Sequence, residues 1–300
     1  MRTQKEIRQI YRQQIELAIA GIRKTRWLII AATTCIFLSI FLFISAIAFE
    51  GWVPWVLVIV AVILFFLAKT AREGLYERLE QEFKEDVVCE VVRAINPEFQ
   101  FLTNDRVEPD LYRAAKLFPS TYDLYLGDYL VLGQIGRIPF AFSDLYTELK
   151  GATTYRGLFF TSNFGRIQDG DTLVVPKDYF STLQSRYAMQ QSELKPIKMD
   201  SPQFDSAFSV YGTSPEAAQS AFTPAITEAI LDIHTRFGRP LRLSLIGSNV
   251  YCAIPTEKML FQPNIRGLKF RDVEEMFALF NLLEFIITQL DQNTALWTEE

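Results

Sequence analysis

The chain contains two adjacent apolar runs, WLIIAATTCIFLSIFLFISAIA (Trp27–Ala48) and WVPWVLVIVAVILFFLA (Trp52–Ala68), separated only by Phe49-Glu50-Gly51. The first run holds 22 residues without a charge, and as a helix rising about 1.5 Å per residue it spans roughly 33 Å. That length exceeds the hydrocarbon core of a bilayer, which is about 30 Å thick. The second run holds 17 residues and reaches roughly 26 Å, so its flanks must help it to cross. The two runs predict a transmembrane helical hairpin over residues 27–68, with spans at 27–48 and 52–68.

Two other interpretations of the first run fit its composition less well. A soluble protein can bury an apolar helical hairpin, but soluble helices seldom continue so long without a charged residue. The sequence Ala46-Ile47-Ala48 resembles a signal-peptidase site. A signal peptide has a short basic region and an apolar core of about 7–15 residues, whereas here the basic region has 26 residues and the apolar run 22. Cleavage at this site would leave the second span as the only anchor.

The charge distribution predicts the orientation of the hairpin. Residues 1–26 carry seven Lys/Arg and two Glu, a net charge of +5 (7 − 2), so the remaining residues carry −10 of the total of −5 (−5 − 5). Basic residues flank the outer ends of both runs, while the connecting loop has only Glu50. The flanking residues are Arg23, Lys24, Arg26, Lys69 and Arg72. Because basic flanks stay on the cytoplasmic side of a membrane, we expect a multi-pass protein with both termini in the cytoplasm.

Residues at the ends of the spans suit the membrane–water interface. Trp27, Trp52 and Trp55 lie near span ends, where the amphipathic indole ring prefers the headgroup region. Arg26 precedes the first span, and the ammonium group of Lys69 can reach the interface and so lengthen the short second span. The lipid bilayer is therefore the first expected partner.

Three small residues share one face of the first span, because Ala31, Cys35 and Ser39 are spaced four apart. Small residues at this spacing let helices approach closely. The face can pack the first span on the second, or it can join two copies of the chain in a homo-oligomer. The spans contain no ionisable residue, which argues against a transporter or channel because ion and proton pathways normally need one.

Composition also limits the chemistry of the rest of the chain. An acidic soluble part lacks the basic footprint of a nucleic-acid-binding protein. Cys35, Cys89 and Cys252 are scattered and odd in number, which indicates a reducing compartment without a disulfide framework. His234 is the single histidine, so most zinc sites and Ser/His/Asp arrangements are excluded. Asp169-Gly170-Asp171 is better explained as a turn than as a metal site, and we expect neither a metal nor a cofactor.

The periodicity of the chain predicts an α+β protein in which the hairpin precedes a cytoplasmic domain with a mostly antiparallel sheet and packed helices. Its parts are a basic cytoplasmic N-terminal helix (1–26), the hairpin (27–68), a charged stalk helix (69–96) and a cytoplasmic α+β domain (97–300). Strands are expected at 129–135, 138–146, 155–163, 172–175, 241–246 and 250–254. Short links between consecutive strands favour antiparallel pairing.

Proline residues, N-cap residues and helical periodicity predict where helices begin and end in the α+β domain. Asn96-Pro97 ends the stalk, since the residue before proline avoids the helical region. A short helix is expected over 108–117 and a longer one over 271–292. From Pro176 the chain is expected to become helical, with N-cap residues before a proline at Ser201, Ser214 and Thr223. The third of these signals begins a helix over 224–237 that Gly238 closes.

Several spaced segments are similar to the signatures of an uncharacterised family of bacterial membrane proteins, domain of unknown function 3137. The matching segments are Leu117-Phe118, Tyr125–Gly133, Arg156–Phe160 with Asn163-Phe164, Thr172–Pro176, Asp200–Phe204, Phe208–Tyr211, Glu216-Ala217, Phe222–Ala225 and Leu260–Pro263. The resemblance implies a bacterial inner membrane, two spans ahead of a cytoplasmic domain, and a LemA-type membrane protein as a partner. It supplies no catalytic residues. The chain departs from the family pattern at Ser201-Pro202, where the family more often has Leu-Glu-Ser.

Two sets of side chains are the candidate functional residues. Asp123 and Asp128 flank the first family signature, and such carboxylates can perform acid/base chemistry, although roles in turns and caps explain them more simply. The second set consists of aromatic residues that either form the core or line a groove for a partner or ligand. These residues are Phe140, Phe142, Phe159, Phe160, Phe204 and Phe208.

Two functions of different class remain. The first is a membrane-anchored, non-catalytic binding or scaffold module at the cytoplasmic face of the bacterial inner membrane. The second is a membrane-tethered enzyme that uses carboxylates in the strand-rich half of the domain. The enzyme requires at least two acids, or an acid and a base, to converge in a pocket. The single histidine and the lack of paired cysteines favour the binding module.

Overall fold

The structure of the protein is a computed structural model that describes residues 4–46, 52–168, 170–177, 179, 194–238, 240–256, 269–293 and 296–298. The chain divides into two compact units. The helical unit comprises Arg8–Val91 and Gln262–Phe270. The α+β unit comprises Met1–Ile7, Val92–Phe261 and Arg271–Glu300. The short loop Phe49-Glu50-Gly51 between the apolar runs and the expected turn at Asp169 lie outside the described residues.

Helices form nearly all of the described part of the helical unit. In chain order, and continuing to the start of the α+β unit, they are α1 Gln4–Ile10, a π-helical segment Tyr11–Ile15, α2 Glu16–Gly21, α3 Arg23–Ser45, α4 Val53–Glu82, a π-helical segment Phe83–Val88 and α5 Cys89–Ile95. The first apolar run is α3, and the second opens α4, with Pro54 in its first turn. The predicted charged helix continues α4 without a break as far as Glu82, and α5 ends at Ile95 before Asn96-Pro97.

The apolar parts of α3 and α4 are mostly uncovered by the protein. Both helices are long and apolar enough to cross a membrane, and only 11% of the most apolar window of each is buried. Large side chains such as Phe41, Trp55 and Leu67 are more than 60% exposed. The core helix of a soluble protein would be mostly buried. The exposure therefore disfavours the buried soluble hairpin considered above.

The two long helices pack through a different face of α3 from the one expected. Ile29, Ala32 and Ser39 are buried, at 1%, 8% and 1% exposure, whereas Ala31 and Cys35 are exposed. Ser39 lies beside residues 61–66 of α4. Of the expected small-residue stripe, only Ser39 is therefore buried. Spacing by four alone did not distinguish this face from the neighbouring one, because both faces are apolar.

A polar contact joins α3 to α4 and shows how the two helices are aligned. The Thr25 hydroxyl donates to the Glu82 carboxylate at 2.7 Å, from the first turn of α3 to the last residue of α4. Glu82 follows Ala68 by 14 residues (82 − 68), about 21 Å of helix, whereas Trp27 follows Thr25 by only two. The apolar runs are therefore offset along the helix pair. The offset part of α4 has paired charges: Lys69 lies 4.0 Å from Glu73, and Arg78 lies 2.7 Å from Glu82.

An antiparallel sheet is the frame of the α+β unit. Its strands are β1 Gln100–Leu102, β2 Leu124–Ile135, β3 Ile138–Leu149, β4 Ala152–Asn163, β6 Thr172–Pro176, β7 Lys195–Ile197, β8 Phe208–Gly212, β9 Arg242–Ile246 and β10 Asn249–Pro255. Within the described residues the strand order is β1-β2-β3-β4-β10-β9-β6-β8-β7, and every neighbouring pair is antiparallel. β5 Ile167–Gln168 and β11 Trp297–Thr298 form a separate ribbon. This architecture confirms the predicted α+β fold.

Among the described residues, five helices accompany the sheet: α6 Pro109–Ala114, α7 Pro202–Ala207, α8 Pro215–Ala221, α9 Pro224–Phe237 and α10 Phe270–Gln292. The helices α7, α8 and α9 begin at the three predicted proline signals. Ser214 caps α8 by accepting a hydrogen bond from Ala217 N at 3.2 Å. Gly238 closes α9 in the left-handed conformation (φ 66°), which glycine adopts without steric cost.

Aromatic side chains fill both faces of the sheet. On one face Tyr112 stacks on Phe118, with ring centroids 4.3 Å apart, and both belong to a buried cluster with Phe159. Successive strand residues point to opposite faces, so Phe160 lies on the other face, where it stacks on Phe140 at 5.5 Å. Phe140 in turn meets Phe280 of α10 at 5.8 Å. The helix α10 therefore covers the second face at the β2–β3 turn.

Candidate functional site

A cleft of about 440 Å³ opens in the α+β unit where β2 turns into β3. Three segments that are far apart in sequence line it: the chain after α5, the β2–β3 turn and the middle of α10. The side chains that give it its chemistry are Glu98, Phe99, Gln134, Phe280, Asn281 and Glu284. Residues 277, 280, 281 and 284 share one face of α10, because helical residues three and four apart are neighbours.

The floor of the cleft is aromatic. Phe99 meets Phe140 edge-to-face with centroids 5.0 Å apart, and it meets Phe280 at 5.2 Å. Glycine at position 133 leaves room for the Phe99 ring, because a Cβ there would come within 2.5 Å of Phe99 and 2.8 Å of Phe140. The turn itself needs Gly136, which has φ 62°. The glycines of β2 and its turn therefore shape both the floor and one wall.

The rim of the cleft is polar and acidic. Glu98, Gln134 and Glu284 are exposed, and Asn281 is half-buried. Their side chains take part in no hydrogen bond or ion pair within the described part of the chain, so all four groups are available to a ligand. Nearby bonds fix the backbone instead: the Glu98 amide donates to Asn96 Oδ1 at 2.9 Å. Among the described residues that line the cleft there is no Lys, Arg or His.

The six aromatic residues predicted as a surface lie in the interior. None is more than 5% exposed. They are Phe140, Phe142, Phe159, Phe160, Phe204 and Phe208. Packing of helices on both faces of the sheet covers them, and Phe204 and Phe208 stack on each other at 5.1 Å. In this structure they serve as core, and only Phe140, through Phe99 and Phe280, contributes to the support of the cleft.

The two predicted carboxylates occupy different environments. Asp123 Oδ2 accepts from the Lys150 amide at 2.5 Å and so holds the β3–β4 turn. Asp128 is half-buried on β2 and lies directly opposite Asp144 of β3. Asp144 is fully buried, at 0% exposure. Sequence reasoning missed Asp144, although its place in a strand of alternating polarity, at Phe142-Ser143-Asp144-Leu145, marks it as an acid pointing to a buried face.

An arginine on the opposite face of the sheet was also missed. Arg242 on β9 lies over the ring of Tyr179 at 4.1 Å, and it lies within 6 Å of Phe118 and Tyr155. Its Nη1 donates to the Tyr179 hydroxyl at 3.4 Å. Such cation–π contacts stabilise a desolvated guanidinium. No local sequence pattern indicates this cluster, because its members come from four separate segments.

Buried titratable groups are plentiful in the aromatic cluster. Burial raises the pKa of Tyr112, Tyr125 and Tyr155, and the charge of Arg242 opposes the rise at Tyr112 and Tyr155. Burial likewise raises the pKa of the Cys252 thiol, which keeps it protonated and unreactive near neutral pH. Among the described residues, no group of three or more His, Cys, Asp or Glu side chains is placed to hold a metal ion.

The predicted interfacial residues of the helical unit lie at its surface. Trp27, Trp52 and Trp55 are 64%, 74% and 71% exposed. The Lys69 side chain is 54% exposed and pairs with Glu73, while Arg26 is half-buried. The tryptophans thus remain available to a membrane interface.

Comparison with known proteins gives one family and one distant structure. No curated protein matches the chain. Among solved structures, the chain is similar to the crystal structure of the mycobacterial trehalose monomycolate transport factor A, TtfA, at 11% identity and a TM-score of 0.38. That alignment covers 67% of this chain and 91% of the other, and at this score it carries no conclusion. Residues 153–292 match the model of a family described as a protein of unknown function, DUF3137, which confirms the resemblance over this part of the chain.

Proposed function

We propose that this protein is a membrane-anchored, non-catalytic binding module at the cytoplasmic face of a bacterial inner membrane. The observation that carries the proposal is the exposure of α3 and α4, whose apolar windows are 11% buried. Soluble proteins seldom expose apolar patches beyond a few hundred Å². A bilayer would cover this surface, and at about 25 cal/mol per Å² its removal from water provides the anchoring free energy.

The α+β unit supplies the binding function in this proposal, and the cleft is its binding site. An open cleft in which unpaired polar groups surround a few aromatic side chains can orient a polar ligand. Among the described residues that line the cleft, Glu98 and Glu284 have no histidine, lysine or arginine beside them. This absence favours recognition over acid/base catalysis, which pairs groups of different pKa. A LemA-type membrane protein, implied by the family resemblance, is the partner we propose to test first.

One observation favours the enzyme as a second candidate. Asp128 and Asp144 lie opposite each other on the paired strands β2 and β3. This brings two acids close together, which the enzyme hypothesis requires. Asp144, however, is completely buried, so a substrate would need access through the sheet face. For this reason we place the binding module first.

Affinity capture tests the proposed function. The intact protein, extracted from membranes in mild detergent, is expected to retain a specific protein partner. Gln134→Arg, which places a bulky cation at the rim of the cleft, is expected to lose that partner. Gln203→Arg makes the same change at an exposed position of α7 and is expected to retain it. A protein that remains in the soluble fraction after lysis, or one that turns over a substrate without any partner, contradicts the proposal.

A further inference from the structure

We propose that the cleft recognises an arginine side chain presented by a protein partner. This inference rests on the proposed function of the α+β unit as a binding module and gives that module its ligand chemistry. Four observations carry it: the sign of the charges at the rim, the aromatic floor, the unpaired amides and the absence of a basic residue from the described lining.

The rim selects a cation. Glu98 and Glu284 come from separate segments and both line the same cleft. Neither forms an ion pair within the described residues, and no basic side chain from the described lining neutralises them. Two opposite charges about 4 Å apart attract by about 1 kcal/mol in water and by more where the site is partly desolvated. A ligand that brings a positive group to this rim therefore gains from the negative charge there.

The floor selects a flat cation. Phe99 and Phe280 lie at the base of the cleft with ring centroids 5.2 Å apart. A guanidinium stacks on an aromatic face while its edge donates to carboxylates, a combination that the compact lysine ammonium cannot match. Gln134 and Asn281 add side-chain oxygens that accept hydrogen bonds from the remaining N–H groups, of which arginine has five.

The charge pattern also separates an arginine within a peptide from free arginine. Free arginine carries an α-carboxylate, which the two glutamates would repel, and the described lining offers no basic group to bind it. An arginine within a chain has neutral amides on either side. The volume of about 440 Å³ lies in the lower part of the range for ligand sites, roughly 300–1,000 Å³, which suits one long side chain and its neighbours.

Calorimetric titration of the full-length protein in mild detergent tests the inference. The probe is N-acetyl-Ala-Arg-Ala-amide, and the comparison is the same peptide with citrulline, which keeps the shape of arginine but lacks its charge. We expect the arginine peptide to bind at least tenfold more tightly than the citrulline peptide and more tightly than free arginine. Equal affinities for the arginine and citrulline peptides, or no binding of the arginine peptide, overturn the proposal. Tighter binding of free arginine overturns the assignment to a protein partner.

Variants locate the binding. Glu98→Gln combined with Glu284→Gln is expected to weaken the arginine peptide at least tenfold. Glu228→Gln makes the same neutralisation at an exposed position of α9 and is expected to leave binding unchanged. Unchanged binding by the double variant, with an unchanged unfolding temperature, assigns the peptide elsewhere and overturns the proposal. If affinity capture finds a partner that needs the cleft while the arginine peptide fails, the binding module stands and only its ligand chemistry is wrong.

Discussion

At the residue scale, Gly157 shows how one position without a side chain permits the central pairing of the sheet. It has φ 144°, and a Cβ there would overlap the carbonyl oxygen of Ile254 on β10. Backbone cannot move aside as a flexible side chain can. Gly157 also lies within Arg156–Phe160, one of the segments that resemble the family signatures. We conclude that steric need at the β4–β10 pairing explains a glycine here.

Gly157→Ala is therefore expected to destabilise the protein strongly. Gly165→Ala is the matched control, because Gly165 also has a positive φ, 63°, but a Cβ there meets nothing within 4 Å. The control should lose about 1 kcal/mol from backbone strain alone. Gly157→Ala should lose at least twice as much, through strain and overlap together. Thermal unfolding of the two variants measures the difference, and equal unfolding temperatures would show that the overlap relaxes without cost.

The buried tyrosines predict how stability depends on alkaline pH. Burial raises the pKa of Tyr112, Tyr155 and Tyr179 above the ordinary value of 10.0. Above pH 10 the unfolded chain loses phenolic protons that the folded protein keeps. The free energy of unfolding is therefore unaffected by the ionisation of these groups below pH 10. It falls as the pH rises beyond 10, by up to about 1.4 kcal/mol per pH unit for each buried tyrosine.

Phenolate absorbance measured together with circular dichroism tests this pH dependence. We expect the buried tyrosines to ionise only as the secondary structure is lost, and Tyr155→Phe to make the decline above pH 10 less steep. Ionisation of these residues while the circular dichroism remains native would show that the cluster is open to solvent.

At the element scale, the contact of Thr25 with Glu82 joins α3 to α4 outside the apolar runs. Burial raises the pKa of Glu82, but the hydrogen bond from Thr25 and the pairing with Arg78 lower it by more, so the net shift is downward. A carboxyl with a lowered pKa stabilises the fold above its unfolded value of 4.5. That contribution is lost as the pH falls through the lowered pKa.

A double-mutant cycle with Thr25→Val and Glu82→Gln measures this contact. We expect a coupling of about 1 kcal/mol at neutral pH, because the carboxylate is charged and partly screened by water. The coupling should disappear at acidic pH. Thr34→Val is the control on the same helix, since its hydroxyl bonds to Ile30 O within α3 at 2.9 Å, and it should show no coupling to Glu82→Gln.

Strong local signals allowed most elements to be predicted, and weak ones did not. The alternation of β2, β3 and β4 and the proline caps of α7, α8 and α9 were all readable in the sequence. The strands β7 and β8 were not, because the cap at Ser201-Pro202 indicates helix whereas α7 ends after six residues, at Ala207. The expectation that the chain becomes helical from Pro176 therefore missed these two strands, although the three proline-capped helices are present. Phe208–Gly212 becomes a strand because β6 and β7 pair with it, which no local pattern reveals.

The candidate site was out of reach for the same reason. Glu98, Gln134 and Glu284 are separated by 36 and 150 residues (134 − 98 and 284 − 134), and each alone is an ordinary exposed polar residue. Only the β2–β3 turn and the packing of α10 bring them to one cleft. By contrast, the predicted aromatic set was easy to find because it is abundant, and abundance in a strand-rich segment marks a core.

At the scale of the whole molecule, the two units differ in the surface that each presents. The helical unit exposes apolar side chains on α3 and α4, which suit a bilayer. The α+β unit buries most of its apolar side chains and presents an acidic cleft. Residues 1–26 carry a net charge of +5 and lie directly before the first apolar run, whereas the remainder of the chain carries −10. The proposed orientation places these basic residues beside the anionic cytoplasmic leaflet, which attracts positive charge.

The orientation can be tested with a reporter in the loop between the two apolar runs. Glu50→Cys should react with a membrane-impermeant maleimide added to intact cells, whereas the wild-type protein, with Cys35, Cys89 and Cys252, should not. Replacing Arg23, Lys24 and Arg26 by Gln in the reporter should lower the fraction labelled from outside, because basic residues next to a span determine its orientation. Replacing Arg2, Lys5 and Arg8 removes the same charge farther from the span and should leave labelling unchanged. If both triple replacements label like the parent reporter, charges beside the first span do not set the topology and the proposed orientation loses its physical basis.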